Sequence, residues 1–282
     1  MDLDKILPID GPSKDEVQKY LNKYSDEYIV IKCGGSILND KNLFEIFIQD
    51  IAILKKLSFK PIIVHGGGKR INKKLDELNI KTNFIKGLRV TDQNTINVVE
   101  NVLINFNNEI VNALKVHKCE AIGINSKKNN IITVKQENNI LGFVGYPTKI
   151  NINIIKNMIK KTELPVIAPL GLNENNQAFN INADTVAGAV SKVLKARRLM
   201  MISDVEGVLD NKKKLIPEIN SSKAKDLINK GIISEGMIPK INNCIDVASN
   251  GVKGVVIIDG RRAHAILFEL LSDKGAGTLI RK

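Results

Sequence analysis

From Tyr28 onward, short apolar runs alternate with longer segments whose apolar positions recur at helical spacing. The runs predict strands over Tyr28–Lys32, Pro61–His65, Ala121–Ile124, Ile131–Val134, Gly142–Val144, Pro165–Ala168, Leu199–Ile202 and Val255–Ile258. The 3.6-residue period predicts helices over Leu43–Leu57, Lys69–Leu78, Gln93–Val116, Ile152–Ile159, Ala183–Leu194, Ala224–Asn229, Ile238–Ala248 and Ala263–Leu271. This alternation implies an α/β fold with a largely parallel sheet, and Asn125–Tyr146 reads as an antiparallel insert. Ahead of the first strand, Ser13-Lys14-Asp15-Glu16 reads as a capping box, and Val17, Tyr20, Leu21 and Tyr24 form one apolar helix face. So short a helix is marginal alone. Its face must dock on its own domain or on a neighbouring subunit.

Composition narrows the function classes. A length of 282 residues points to about two lobes, and 43% hydrophobic content supports a packed core. No apolar run approaches the ~18 residues of a membrane span. Met1-Asp2-Leu3-Asp4 is too acidic for a signal or transit peptide, so the expected location is the compartment of synthesis, a cytoplasm or a plastid stroma. Cys33, Cys119 and Cys244 form no CxxC pair, and His65, His117 and His264 are scattered, which argues against disulfides and a zinc site. The net charge of +12 raises nucleic acid as a partner. Against it, the lysines are dispersed, often beside asparagine, and 4% aromatic content without Trp offers no stacking platform. An anionic small molecule also suits this charge.

In open α/β sheets ligands bind beyond the carboxyl ends of the strands. Here those ends read Lys32-Cys33-Gly34-Gly35-Ser36, His65-Gly66-Gly67-Gly68-Lys69, Pro169-Leu170-Gly171, Ser203-Asp204-Val205-Glu206-Gly207 and Asp259-Gly260-Arg261. Glycine there lets backbone N–H groups converge on an anion, so the shared edge points to phosphate chemistry. Two nucleotide motifs fail: Ile63 stands where a P-loop needs glycine, and Ile71 where GxGxxG needs its third. Taken singly, Lys32 and Arg89 could be surface residues, Asp184 a helix cap, and Asn180 and Asn182 turn residues.

In order, these segments resemble the amino-acid kinase family. The resemblance spans about Tyr28 to Thr278 and includes Gly87-Leu88-Arg89-Val90-Thr91-Asp92, Asn180-Ile181-Asn182-Ala183-Asp184 and Gly236-Met237-Ile238-Pro239-Lys240. The GLRVTD and NxNAD segments resemble its acetylglutamate branch. The resemblance implies a three-layer sandwich around the sheet, with an oligomerising helical extension (1–26), an acceptor-binding and dimerising lobe (27–178) and an ATP lobe with an arginine site (179–282). It implies phosphoryl transfer from ATP, with Mg²⁺, to the side-chain carboxylate of N-acetyl-L-glutamate, the second step of arginine synthesis. By that likeness Lys32 and Lys240 hold the transferring group and Asp184 orients both. Gly34, Gly35, Ser203, Asp204 and Gly207 bind ATP, while Gly67, Gly68, Arg89 and Asn180 bind the acceptor. The chemistry agrees, because an ionised carboxylate needs no general base and in-line transfer needs positive charge on the equatorial oxygens. The segments depart from the family pattern at Lys69-Arg70, where proline is usual, and at Glu235 in place of glycine.

The N-terminal helix, with His264-x-x-Leu267-x-Glu269-Leu270 and Gly275-x-Gly277-Thr278, resembles the arginine-inhibited, hexameric kind. That implies an arginine site with Tyr20, His264, Glu269 and Gly275, a trimer of dimers, and a possible PII-type signal protein partner. Alternatives are glutamate 5-kinase, aspartokinase or uridylate kinase on the same fold, a catalytically silent arginine sensor, or a basic nucleic-acid binder.

Overall fold

The apolar runs become strands buried on both faces. The computed structural model describes residues 2–24, 26–35, 37, 40–233 and 237–282. After a 3-10 turn at Leu3–Lys5 come α1 (Lys14–Tyr24), β1 (Tyr28–Cys33), α2 (Lys41–Lys56), β2 (Lys60–His65) and α3 (Gly68–Glu77). A two-stranded hairpin, β3 (Phe84–Ile85) and β4 (Leu88–Arg89), leads to α4 (Gln93–Val116) and β5 (Ala121–Ile124). Next are β6 (Ile132–Gln136), β7 (Gly145–Ile150), α5 (Ile152–Lys160), β8 (Leu164–Ile167), β9 (Leu170–Leu172) and β10 (Ala178–Asn180). The chain ends with α6 (Ala183–Leu194), β11 (Arg198–Ser203), β12 (Glu218–Ile219), α7 (Ser221–Asn229), α8 (Met237–Ser249), β13 (Val255–Asp259), α9 (Ala265–Leu271) and β14 (Gly277–Ile280).

The main sheet runs β12-β14-β13-β11-β1-β2-β8-β5, parallel except where β13 meets β14. Alternate residues of one strand enter different cores, as the two-residue period requires. Ile29 and Ile31 of β1 pack with α1, α2, α4 and α9, while Val30 packs with α5, α6 and α8. Helices on both faces make the three-layer sandwich, and full burial explains why the strands read as continuous apolar runs.

The N-terminal helix follows its sequence signature. Ser13 N donates to Glu16 Oε2 at 3.2 Å and Glu16 N to Ser13 Oγ at 3.4 Å, the reciprocal capping box. Its Val17 and Tyr24 are buried in the α9-side core, so this face docks on its own chain.

The insert differs from the expectation. Residues 142–144 form isolated bridges, Gly142 to Thr91 and Val144 to Asn180, and the strand begins only at Gly145. Gly142 sits at φ +66° with the Thr91 carbonyl so close that a Cβ would lie 2.3 Å from it. The strand Gly145–Ile150 lacks the apolar run because Tyr146 and Lys149 face solvent. The insert sheet, β10-β9-β6-β7, also reaches past Tyr146 to Asn180, and β10 straddles the expected junction at 178/179. The β3–β4 hairpin, β9, β10, β12 and β14 are too short or too mixed in polarity for a periodicity reading.

Candidate active site

The parallel strands β1, β2, β8 and β11 release their carboxyl ends at one edge, and a cavity of about 250 Å³ opens there. Lys32, Gly34, Gly35, Gly67, Gly68, Arg89, Asn180 and Asp184, eight of the residues expected from the sequence, line it. Register sets their order: Cys33 of β1 pairs with His65 of β2, and Gly66 N donates to the Cys33 carbonyl at 2.7 Å. The two glycine turns are thus held side by side.

Lys32 Nζ lies 2.8 Å from Asp184 Oδ1, with side chains 14% and 23% exposed, so water screens this pair only partly. Asn182, not Asp184, caps α6, accepting from Asp184 N at 2.8 Å, which leaves the Asp184 carboxylate for the lysine. A Cβ on Gly34 would stand 3.2 Å from Lys32 Nζ, so a larger residue there would press on the ammonium. Lys240, the first-turn lysine of α8, does not pair with Asp184 in this arrangement; its Nζ donates to Ser203 Oγ at 3.0 Å. Asn243, one turn on, reaches the Asp184 carbonyl at 3.5 Å and ties α8 to the start of α6.

Arg89 is 6% exposed. Its Nη2 donates to Asn72 Oδ1 at 2.5 Å, and its Nη1 is buried without a hydrogen bond. An unpaired buried donor of this kind costs about 1–3 kcal/mol. A ligand carboxylate is the complementary acceptor. Burial lowers the Arg89 pKa, and the charge of Asp76 opposes that shift. The departure at Lys69-Arg70 adds less charge here than its sequence implies, because Arg70 forks onto Glu109 at 2.5 and 2.9 Å and lies 3.9 Å over the Phe106 ring. Behind the glycine turn, His65 is fully buried; its ring bonds the Gly66 carbonyl at 3.0 Å and Asn107 at 3.1 Å. Burial pushes its pKa down to about 4, so the ring is neutral and braces the turn.

A second cavity, of about 380 Å³, is lined by the loop Asp204–Leu209 together with Ile232, Met237 and Arg261. Gly207 has φ +138°, and a Cβ there would lie 2.5 Å from Thr278 Oγ1. Thr278 Oγ1 also accepts from Val208 N at 2.8 Å and donates to the Ile216 carbonyl at 2.7 Å, fixing the loop. Asp259 holds Arg261 at this cavity through 2.9 and 2.7 Å bonds. Asn72 was missed beside Arg89, having no unusual residue type or spacing, and Thr278 entered only through the C-terminal signature, not with the loop it fixes. Among the described residues no group of His, Cys, Asp and Glu could hold a metal, and no helix is long and apolar enough to cross a membrane. Ser36, Glu235 and Gly236 lie outside the described residues.

A third cavity, of about 270 Å³, gathers Tyr20, Lys23, Arg198, Glu269 and Gly275. Burial raises the Glu269 pKa, although Ala276 N donates to its carboxylate at 2.9 Å. His264, expected in the same group, is elsewhere. It is buried at the other end of α9, bonded to Asp50 at 2.6 Å and to Asp10 at 3.2 Å. The helix puts residues 264 and 269 at opposite ends, so one sequence signature divides between two places.

The acetylglutamate kinase of Pelagibacter ubique is 68% identical over 281 residues, covering 100% of this chain and 98% of that protein. The acetylglutamate kinase of Nitrobacter winogradskyi is 42% identical, covering 99% and 98%. Among solved structures, N-acetylglutamate synthase from Neisseria gonorrhoeae with coenzyme A and N-acetyl-glutamate superposes with a TM-score of 0.85 at 19% identity, a likeness of fold. It covers 95% of this chain, which spans only 62% of that longer protein. The model of the amino acid kinase family matches residues 27–259, and the chain belongs to that family, within its acetylglutamate kinase branch.

Proposed function

We propose that the 250 Å³ cavity transfers the γ-phosphoryl group of ATP to the side-chain carboxylate of N-acetyl-L-glutamate. The observation that carries this reading is the Lys32–Asp184 pair at two glycine turns, opposite a buried Arg89 with an unused donor. Arg89 binds the acceptor's α-carboxylate and Asn180 its acetamido group. The side-chain carboxylate oxygen attacks the γ-phosphorus, the bond to the bridging oxygen breaks, and ADP leaves with that electron pair. No proton moves, because the acceptor is ionised at neutral pH. Lys32 and Lys240 neutralise the equatorial oxygens, Asp184 holds Lys32, and Ser203 holds Lys240. Backbone N–H groups of Gly34, Gly35, Gly67 and Gly68 surround the phosphoryl group and the acceptor, and the loop from Asp204 to Leu209 receives the nucleotide. The lysines and glycine turns fit phosphates and no carboxylate cluster among the described residues fits a metal, so Mg²⁺ would be held by the nucleotide's own phosphates and would supply further positive charge there. In this reading residues 27–178 form the acceptor lobe and 179–282 the nucleotide lobe.

A second reading concerns regulation. The cavity of Tyr20, Lys23, Arg198 and Glu269 combines a half-buried carboxylate with basic groups, which complements the guanidinium and carboxylate ends of L-arginine as inhibitor. Its dependence on α1 would couple binding to a hexamer built through that helix. His264 has no direct part in this site, being bonded to Asp50 and Asp10. The bacterial sources of both relatives favour a cytoplasmic enzyme over a plastid one.

The test is ATP consumption with N-acetylglutamate, glutamate, aspartate and UMP in parallel, each with and without arginine. Turnover confined to N-acetylglutamate and reduced by arginine supports both readings. Turnover with another acceptor moves the specificity, and none with any acceptor favours a silent sensor.

A further inference from the structure

Arg89 uses its guanidinium asymmetrically. Nη2 donates to Asn72 Oδ1 at 2.5 Å and to the Gly68 carbonyl at 3.4 Å, whereas Nη1 makes no hydrogen bond. The group also lies 4.6 Å from the ring centroid of Phe84, its cross-strand neighbour in the β3–β4 hairpin. A guanidinium carries its five N–H donors in one plane. Holding one nitrogen at its edge and one face against a ring therefore sets the direction of the remaining donors. Asn72 is solvent-exposed on α3, one turn beyond Gly68, so it contributes little to the core.

The residue type matters as much as the distance. An amide oxygen orients a guanidinium without cancelling its charge, whereas a carboxylate at the same place would cancel much of it. The α3 carboxylate that acts on Arg89, that of Asp76, stands one turn further on, where its effect is coulombic.

We propose that Asn72 is a positioning residue for acceptor recognition: it holds Nη2 of Arg89 so that the rest of the guanidinium, with its charge intact, meets the acceptor's α-carboxylate. This rests on the role given to Arg89 under the proposed function. Asn72 touches no reacting atom, so it acts on acceptor affinity and not on the transfer step.

Steady-state kinetics with N-acetylglutamate as varied substrate test it, on the parent chain, Asn72→Ala, Asn72→Asp, Arg89→Ala and the double variant Asn72→Ala with Arg89→Ala. Loss of a charge-assisted bond at a half-wet site predicts that Asn72→Ala raises the acceptor KM about tenfold. kcat and the KM for ATP should stay within about twofold, since neither uses Arg89. Asn72→Asp keeps the bond yet should also raise the acceptor KM, because it takes the charge. The double variant should be no worse than Arg89→Ala alone. An unchanged or lowered acceptor KM in Asn72→Ala overturns the proposal. So does an unchanged KM in Asn72→Asp, a parallel rise in the KM for ATP, or full additivity in the double variant. If Arg89→Ala itself leaves the acceptor KM unchanged, the clamp role of Arg89 fails first, which separates that failure from the failure of Asn72.

Discussion

The cavity at the strand ends and the cavity beneath α1 have similar volumes, about 250 and 270 Å³, but are built differently. The first stands on the ends of buried parallel strands, where register sets Lys32 beside two glycine turns. The second is assembled from α1, the end of α9 and the last strand, with long side chains such as Lys23, Arg198 and Arg281 around Glu269. Strand ends confer fixed geometry, which phosphoryl transfer needs. One wall of the second is α1, through Tyr20, Lys23 and Tyr24, so the shape of that cavity depends on where the helix docks. The two buried histidines repeat the contrast. His65, braced by neutral partners behind the acceptor turn, is pushed down to about 4 by burial. His264, hydrogen-bonded to Asp50 and near Asp10, is raised, and burial pushes Asp50 itself up to about 6.

The largest effect expected is at the first cavity. Lys32→Ala or Lys240→Ala should lower kcat by about 10²–10⁴, the range for removing a group that stabilises transition-state charge. Steady-state rates check this, and near-normal turnover in either variant would remove that lysine from catalysis. The same variants should still bind arginine at the cavity beneath α1 by calorimetry if the two regions are separable.

Next is acid stability. Unfolded His65 protonates below its ordinary 6.5, while folded His65 resists until about 4, so the folded state loses stability as pH falls through that window. The loss is on the order of 3 kcal/mol. His264 has the opposite sign, since a raised folded pKa gives stability that is present below 6.5 and lost as pH rises through the folded value. Denaturation midpoints of His65→Gln between pH 4 and 7 should therefore vary less with pH than those of the parent. A slope as steep as the parent's would refute the account of His65.

A smaller effect is expected at the cavity beneath α1. Glu269→Gln should raise the arginine concentration for half-inhibition about tenfold, the range for one charge-assisted bond, without changing the acceptor KM. If inhibition is unaltered, Glu269 is not the guanidinium partner. Smallest is Ser13→Ala, which removes the cap of α1 and should cost about 1 kcal/mol. Thermal unfolding, together with a parallel loosening of arginine inhibition, checks it; inhibition unchanged at reduced stability would uncouple α1 from the cavity beneath it.

Local rules made several features legible. The capping box at Ser13 and Glu16, the helix Gln93–Val116 and the glycine turns after β1 and β2 depend on neighbours within a few residues, and each forms where the sequence places it. The strand at Gly145–Ile150 was misplaced because Gly142 is bound by the distant Thr91 rather than by its own sequence neighbours. His264 was grouped with Glu269, five positions on, by the likeness of their shared signature to the arginine-inhibited kind. On a helix that spacing separates the two ends.

The sequence by itself determined the α/β class, the parallel sheet and the set of residues at its carboxyl edge, since buried strands demand apolar runs and close phosphate approach demands glycine. Only the tertiary structure decided which partner each charged group takes. Lys32 meets Asp184, Lys240 meets Ser203, Arg89 meets Asn72 and His264 meets Asp50, every pair being far apart along the chain except Arg89 and Asn72, which are joined by a hairpin. The physical reason is that hydrophobic period and turn chemistry act over a few residues. The pairing of charges waits until strands from distant segments are laid side by side.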